Sequence, residues 1–516
     1  KDVFSVNGPP GTGKTTLLKD IIASNIVERA AKFCESNHVN DIFKKVVGRD
    51  GISFYYDIPS DIALYGMLVL SSNNKAVENI TLELPNISSV EEGTDGSTLF
   101  HPDSSNQQVD LSYFAKDKKY QFVKSNEVYF TILADRLAES NEQWGLISAR
   151  LGKKSNINTF MPVLDVLSSD MSSIMRMPSA QDAFESAKKQ FQAQHNLVKA
   201  LFTYVTAYEE NIHLIQELKV KIDKLKEEAL VINEQLSKYD DLDDNLLKLI
   251  ERKNSIESKL IELNSKRSII DKIWSATNWS ILEAMSNAAL LSVIEDETTK
   301  LQNVKSELDA LHKLVNEREF IINTKDGLLS DIKELDGTVQ NAEHTQQDIL
   351  GILKTDNKDT IHCFDDIASK LMSPDEDRAE AHTAFLYVCN YLNECRERLL
   401  YDALQVQKTV VMSDAFRKNM QLLSQYWGSL NDRKNLQKNF DLDAIFPALL
   451  NSLMIAVPVI SSTFAAVERF LINCKSESSL GTIIIDEAGQ ASPHMIVGAL
   501  LRAQKAVVVG DPKQIE

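Results

Sequence analysis

Apolar positions along the chain follow two different periods. Between residues 215 and 315, three stretches carry apolar side chains at steps of three and four or seven, with lysines and glutamates on the other faces of the first. This spacing places one apolar stripe along a helix and is typical of coiled-coil seams. Near both ends of the chain, short apolar runs bounded by glycine and polar residues predict buried strands, at 3–6, 67–70, 482–485 and 507–509.

The helical region contains three seams. The first consists of Ile215, Leu218, Ile222, Leu225, Ala229, Ile232, Leu236 and Tyr239. The second consists of Leu246, Leu249, Ile256, Leu260, Leu263 and Ile270, and the third of Leu301, Val304, Leu308, Leu311 and Val315. The second seam is out of phase with the first, and the acidic run 240–244 lies at the break. The break predicts either a stammer in one long helix or a helix cap after a turn. We expect antiparallel pairing within the chain, since the chain must return to complete one lobe.

A phosphate-binding loop follows the first predicted strand. It consists of Gly8, Pro9, Pro10, Gly11, Thr12, Gly13, Lys14, Thr15 and Thr16. Glycines allow backbone N–H groups to surround the β- and γ-phosphates of ATP, and the helix that follows directs its positive end at the anion. Lys14 is predicted to contact the γ-phosphate, and the Thr15 hydroxyl is predicted to bind Mg²⁺.

An acidic pair follows the apolar run 482–485. Asp486 is predicted to hold the same Mg²⁺ as Thr15, through its water shell, and Glu487 to orient or deprotonate the attacking water. The two ends of the chain therefore predict one ATPase site.

The surrounding residues resemble the motifs of superfamily 1 helicases. Asp-Glu-Ala-Gly-Gln at 486–490 looks like motif II, and Gly-Asp-Pro-Lys-Gln at 510–514 looks like motif III. The segments at 67–79 and 458–464 resemble motifs Ia and Ic. The likeness is greatest to a bacterial group in the 5′-to-3′ branch that includes the nonsense-mediated-decay helicase. It covers about residues 1–85, 125–165 and 380–516.

That resemblance implies further roles for single residues. Gln514 would sense the γ-phosphate, and four residues would touch the nucleic-acid backbone: Ser71, Asn73, Ser462 and Thr463. The other interpretation of these four is capping, since hydroxyl and amide side chains often cap strand and helix ends. A complete helicase also has a second RecA-like lobe with an arginine at the γ-phosphate. We therefore expect this sequence to be part of a larger protein and to hydrolyse ATP slowly alone.

The predicted fold class is α/β: a P-loop NTPase, RecA-like parallel sheet flanked by helices, with a long inserted α-helical coiled-coil arm. The predicted domains are a first part of the lobe at 1–100, a mixed insertion at 101–180 with a possible small accessory domain, the arm at 181–355, a returning helical segment at 356–450, and a second part of the lobe at 451–516.

Composition predicts a soluble, cytoplasmic chain. Of its 516 residues, 43% are hydrophobic, and no apolar run reaches membrane-spanning length. Its five cysteines lack metal-site or redox spacing, which favours free thiols in a reducing compartment. The net charge of −18 argues mildly against nucleic-acid binding, although a helicase grips its strand in a local groove.

The predicted function is ATP hydrolysis with Mg²⁺, coupled to movement along single-stranded DNA or RNA, and no membrane partner is expected. DNA and RNA are not distinguished. One alternative is a nucleotide-dependent switch whose coiled-coil arm binds a protein partner. Another is a DNA-clamping ATPase of the SMC or ABC type, which the chain resembles in layout. Such proteins need a Ser-Gly-Gly signature before the acidic strand, and none precedes Asp486.

Overall fold

A computed structural model describes residues 2–8, 14–72, 83–86, 128–140, 142–171, 179–274, 281–353, 367, 370–372 and 389–511. The chain divides into two compact units. We call the first, Lys1–Thr203 with Thr355–Glu516, the lobe, and the second, Tyr204–Lys354, the arm.

The lobe is built on a six-stranded, wholly parallel sheet. In chain order its strands are β1 (Asp2–Asn7), β4 (Met67–Ser71), β5 (Ser148–Arg150), β6 (Val459–Thr463), β7 (Leu480–Ile485) and β8 (Ala503–Gly510). Their order across the sheet is β1-β8-β7-β4-β6-β5. Parallel strands need crossover connections, which explains why both ends of the sequence contribute to one sheet. β4, β6 and β7 are buried at every position, as expected for strands covered on both faces.

The first strand corrects one prediction. The apolar run at 3–6 predicts a buried strand, but Val3 is 68% and Phe4 53% exposed. β1 lies at the edge of the sheet and pairs with β8. An apolar run indicates that a segment can form a strand. The position of that strand in the sheet decides whether its side chains are buried.

Helices flank the sheet and pack on one another. The lobe contains α1 (Lys14–Phe33), α2 (Ser60–Ala63), α3 (Thr131–Ala138), α4 (Lys154–Leu167), α8 (Asn390–Val411), α9 (Asp414–Trp427), α10 (Leu430–Asn439), α11 (Leu442–Ala456), α12 (Phe464–Phe470) and α13 (Pro493–Arg502). A separate antiparallel hairpin joins β2 (Lys44–Val47) to β3 (Phe54–Asp57). Short 3-10 turns lie at Val39–Ile42 and Ala488–Gln490.

A buried polar network ties α1 to α8 and α11. Arg29 is 1% exposed, and its Nε donates to Gln407 Oε1 at 2.9 Å while its Nη1 donates to the Met454 carbonyl at 2.6 Å. Gln407 Nε2 in turn donates to the Tyr129 hydroxyl at 2.8 Å. Burial lowers the pKa of Arg29 to about 10, since the charged form is desolvated. The helix that follows the phosphate loop is thus held to the helices behind it by polar contacts as well as apolar ones.

Three long helices contribute to the arm. They are α5 (Ala180–Leu236), within which the arm begins, α6 (Leu242–Trp274) and α7 (Ile281–Ile352). The first predicted seam packs on the C-terminal half of α7, in a cluster of Ile215, Ile222, Ile332, Val339 and Ala342. The second and third seams pack together, in a cluster of Ile256, Leu260, Ile294, Val304 and Leu308.

Polar contacts establish the direction of pairing in the arm. Lys219 pairs with Glu343 at 2.8 Å, and Lys259 with Glu297 at 2.6 Å. Asp243 of α6 also pairs with Arg318 at 2.8 Å, so the partner number falls along α7 from 318 to 297 as the residue number rises along α6 from 243 to 259. α6 therefore runs antiparallel to α7. The predicted fold class, including the inserted coiled-coil arm, is therefore confirmed.

The acidic break between the first two seams is a stammer. A 3-10 turn at Ser237–Tyr239 joins α5 to α6, and Leu236 and Asp240 on either side of it keep right-handed helical dihedral angles. The path continues along α7 without reversing, so the turn and cap alternative does not apply. A stammer is a three-residue insertion in the heptad pattern, and it overwinds the helix locally. A 3-10 helix has fewer residues per turn than an α-helix, so the 3-10 turn at this point is the expected overwound segment.

None of the described helices combines the length and the apolar run that crossing a bilayer requires. The described cysteines, Cys34, Cys389, Cys395 and Cys474, are buried and none of them is in a disulfide bond, and Cys363 lies outside the described residues. Burial raises the pKa values of Cys34 and Cys474 to about 12.

Candidate active site

The carboxyl ends of the sheet strands bring the two ends of the sequence together. The Gly8 N–H donates to the Gly510 carbonyl at 3.2 Å, extending the pairing of β1 with β8. Lys14 is the first residue of α1, and its Nζ donates to the Gly8 carbonyl at 2.6 Å. The lysine therefore folds back over the start of the phosphate loop. In open parallel sheets, ligands bind at this edge, outside the carboxyl ends of the strands.

Asp486 leaves β7 at the same edge. Its N–H donates to the Leu70 carbonyl of β4 at 2.9 Å, which holds the Asp486 backbone against the sheet. Burial raises the pKa of the Asp486 carboxyl, and the neighbouring Glu487 charge raises it further, while the Glu487 N–H and the Lys14 ammonium oppose both effects. Lys14 and Asp486 are thus close enough to interact electrostatically. A desolvated carboxylate of this kind gains from a nearby cation.

Glu487 has an unusual backbone. Its φ is 53° and its ψ is 44°, in the left-handed region that L-residues other than glycine seldom adopt. Its Oε2 atom is buried and has no hydrogen-bond partner among the described residues. Immediately after it, the 3-10 turn Ala488–Gln490 carries the chain away from β7. Strained backbones and unsatisfied buried oxygens are both uncommon, and they cluster at functional sites.

These residues fit ATP with Mg²⁺. The site offers an ammonium group, a helix N-terminus at Lys14 and two acidic side chains, one desolvated and one with an orphaned oxygen. Mg²⁺ prefers one or two carboxylates together with substrate phosphates over a complete protein cage. Asp486 would hold the ion, and Gly8 and Lys14 would meet the phosphates.

Several predicted residues cannot be placed. Thr15 and Thr16 lie in the first turn of α1, but their side chains fall outside the described part of the structure. Seven other predicted site residues lie wholly outside the described part of the structure: Pro9, Pro10, Gly11, Thr12, Gly13, Gln514 and Asn73. Their assigned roles stay predictions.

The other three predicted nucleic-acid residues lie together and are buried. Ser71 and Thr463 are paired in register across β4 and β6, and Ser462 precedes Thr463. Ser71 is 0%, Ser462 1% and Thr463 8% exposed. The Ser462 hydroxyl donates to the Thr463 carbonyl at 3.3 Å. Contact of these side chains with nucleic acid would require their exposure, so their role stays a prediction.

Sequence reasoning gave no role to Ser72 and Gln490. Ser72 is the first exposed residue after β4, and its hydroxyl donates to Gln490 Oε1 at 3.3 Å. The two residues are more than 400 positions apart, so no local pattern could have paired them. Ser72 does lie within the segment that resembles motif Ia, and Gln490 ends the segment that resembles motif II, which is the one signal available in the sequence.

Two glycines shape the same edge. A Cβ at Gly152 would overlap Ser462 Oγ, and a Cβ at Gly510 would lie 3.2 Å from the Ala488 and Gly489 nitrogens. Gly152 therefore allows the loop after β5 to approach β6, and Gly510 allows the 3-10 turn to lie on the end of β8. Gly510 directly follows the predicted strand 507–509, and a glycine in that place is the sequence signal for such an approach.

Comparison with known proteins identifies the family. The family model described as an AAA domain matches residues 241–516, more than half of the chain. The match includes Asp486 and Glu487 and begins after the phosphate loop. No curated protein and no solved structure matches the chain. With the site geometry and this match together, the chain belongs to the AAA domain family, a family of P-loop NTPases of the superfamily 1 helicase group.

Proposed function

We propose that this chain is the ATP-hydrolysing lobe of a helicase or translocase that moves along single-stranded DNA or RNA. The observation that carries the proposal is the meeting of Lys14, Asp486 and Glu487 at the end of a sheet whose neighbouring strands carry the segments resembling motifs Ia and Ic. The ATP site at the end of β7 and the segment expected to contact nucleic acid at the end of β4 would then lie on adjacent strands of the sheet. The resemblance to the bacterial group implies movement from 5′ to 3′.

Each residue would have a distinct task in hydrolysis. Lys14 would turn from the Gly8 carbonyl to the γ-phosphate, where its charge opposes the charge that builds up on the transferred group. Glu487 would orient the attacking water and accept its proton. Asp486, fixed by its backbone bond to Leu70, would hold Mg²⁺, which supplies electrostatic stabilisation to the phosphates. Gln514 would sense the γ-phosphate.

The test is ATP turnover by the full chain with Mg²⁺, measured without nucleic acid, with poly(dT) and with poly(U). A Glu487→Gln variant is the matched control, because it keeps the size of the side chain and removes the base. We expect stimulation by one of the polymers, and we expect the control to lose about 10²-fold or more of the rate. Turnover that responds to neither polymer would contradict coupling of nucleic-acid binding to ATP hydrolysis within this lobe.

The arm offers support for a second candidate, a nucleotide-dependent switch that binds a protein. Its outer faces retain exposed apolar side chains, among them Phe320 at 73% and Ile261 at 72%. Contiguous exposed apolar patches are typical of interaction surfaces, and side chains of this kind would form one on the arm. ATP turnover indifferent to both polymers but changed by a protein partner, with the change lost in Phe320→Ser, would favour this candidate.

A further inference from the structure

The connection between motif Ia and the acidic pair is a chain of two hydrogen bonds. The Ser72 hydroxyl, at the end of β4, donates to Gln490 Oε1 at 3.3 Å. The Gln490 N–H donates to the Glu487 carbonyl at 3.0 Å, closing the 3-10 turn. Gln490 is therefore bonded through its side chain to one segment and through its backbone to the residue expected to act as the base.

The two ends of this connection differ in how firmly they are held. Asp486 is bonded to β4 through its N–H, whereas Glu487, the next residue, has left the sheet in a left-handed conformation. Ser71 is fully buried in β4, whereas Ser72 is exposed. An exposed hydrogen bond between two side chains shifts a two-state equilibrium by only about 2- to 10-fold. It suits a contact that is broken in use better than one that maintains the fold.

The Glu487 side chain shows what the connection maintains. Its Oε2 is buried and has no hydrogen-bond partner among the residues that the structure describes, so the carboxylate is turned at least partly into the protein. A base must present its oxygens to the water that attacks the phosphate. The left-handed backbone and the buried oxygen are the two observations that a restraint on Glu487 would explain.

We propose that the Ser72–Gln490 hydrogen bond is a latch that restrains Glu487, and that a single strand arriving at the end of β4 opens it. A phosphate or sugar oxygen of the strand would compete for the Ser72 hydroxyl. Once released, the 3-10 turn would let Glu487 leave the left-handed region and turn its carboxylate toward the nucleotide. Gln490 is then a positioning residue, and the latch couples the strand site to ATP hydrolysis. The opening step by nucleic acid rests on the proposed function, whereas restraint of Glu487 does not.

If the latch restrains Glu487, removing it should raise the rate of ATP turnover, whereas most substitutions near an active site lower that rate. In the full chain, Ser72→Ala and Gln490→Leu should each increase ATP turnover without nucleic acid by about 2- to 10-fold. The KM for ATP should stay the same, and stimulation by poly(dT) or poly(U) should shrink by a similar factor. A residue with a merely structural role would lower turnover when replaced.

Three further variants sharpen the test. Ser72→Thr keeps a hydroxyl and should retain the low basal rate. The double variant of Ser72→Ala with Gln490→Leu should be no faster than either single variant, because one bond is lost in all three. Ser492→Ala is the control, since Ser492 is exposed, lies two residues beyond Gln490 and makes no side-chain cap to α13. Thermal midpoints of all variants should match that of the unchanged chain.

The outcomes separate the latch from the proposed function. Basal turnover that is unchanged or lower in both single variants would overturn the latch, as would single effects that multiply in the double variant. If the unchanged chain responds to neither polymer, the proposed coupling of nucleic-acid binding to ATP hydrolysis within this lobe fails. The latch as a restraint on Glu487 would still be supported by a higher basal rate in the variants and overturned without one.

Discussion

The lobe and the arm of this chain bury their apolar side chains under different constraints. In the lobe, β4, β6 and β7 are covered on both faces, and polar groups such as Arg29 and Asn419 lie inside with hydrogen-bond partners. In the arm, each helix of the clusters buries one stripe, and the remaining faces are in water. A stripe is set by spacing along one helix, whereas burial on both faces of a strand depends on what the rest of the chain brings to it. Burial in the arm therefore depends on residues close together in the sequence, whereas burial in the lobe depends on contacts between distant segments.

The largest expected difference between the two units is chemical. Asp486→Asn should lower Mg²⁺-dependent ATP turnover by about 10³-fold, because a metal ion supplies several kcal/mol of charge stabilisation. The same change should raise the thermal midpoint of the nucleotide-free chain. Burial raises the folded-state pKa of Asp486, so its ionised form costs stability at every pH above that pKa, and asparagine removes the cost.

Turnover assays and thermal melts at pH 7, without and with ATP and Mg²⁺, test this prediction. Asp441→Asn is a suitable control, because Asp441 is exposed and caps α11, where an asparagine oxygen can accept the same hydrogen bond from the Asp443 N–H. A lower midpoint for Asp486→Asn would show that the carboxylate stabilises the fold, which would remove the reason for assigning it to a cation.

The polar network around Arg29 should be the most sensitive structural feature of the lobe. Arg29→Ala would leave Gln407 Oε1 and the Met454 carbonyl without their donor and would open a cavity. We expect a loss of about 3 kcal/mol in the free energy of unfolding. Arg29→Met fills more of the space and should lose less. Urea unfolding of both variants checks the order, and equal losses would show that the hydrogen bonds, not the volume, decide the effect.

Apolar truncation should cost more in the lobe than in the arm. Leu453, on α11, is 0% exposed, and Leu453→Ala should cost about 4 kcal/mol; Ile222, in the first seam, is 3% exposed, and Ile222→Ala should cost about 2 kcal/mol. The smaller cost follows because a seam between helices has fewer neighbours and closes more easily. Hydrogen exchange resolves the two units separately. Equal losses in the free energy of unfolding would contradict this difference and show that the arm is packed as tightly as the lobe.

The smallest expected effect concerns a charge in the arm. Glu297 lies between Ile294 and Leu301 in the seam spacing, is 4% exposed, and accepts from Lys259 at 2.6 Å and Lys300 at 3.2 Å. Hydrogen bonds from Lys259 and then Lys300 lower its pKa. Glu297→Leu should leave the thermal midpoint unchanged or slightly higher, because an apolar residue can replace a paired charge in a core.

Lys259→Met is the matched variant for Glu297. It removes the shorter of the two bonds and leaves the acid less well paired, so the midpoint should fall slightly. Opposite signs for the two variants would show that Glu297 specifies the pairing of α6 with α7 at some cost in stability. A marked fall for Glu297→Leu would instead show that the charge stabilises the arm outright.

The accuracy of the sequence predictions follows the same division. The seams could be read because apolar spacing along one helix already states which face will be buried. The sequence could not choose between a stammer and a turn at 240–244, since both suit the same acidic run. The choice depended on whether α6 continues along α7, which is a contact between distant segments.

In the lobe, the motifs located the strands of the site but not their exposure. Val3 and Phe4 read as core residues and lie at an edge, while Ser71 and Ser462 read as surface contacts and are buried. Both outcomes depend on strand order, which is set by pairing between residues hundreds of positions apart.

The sequence by itself determined the α/β class, the phosphate loop, the acidic pair and the coiled-coil periodicity, because each of these depends on residues within a few positions of one another. The tertiary structure alone decided that β1 is an edge strand, that Glu487 adopts a left-handed backbone and that Ser72 meets Gln490. These features arise where strands from opposite ends of the chain lie side by side, and their physical cause is long-range packing that no local pattern contains.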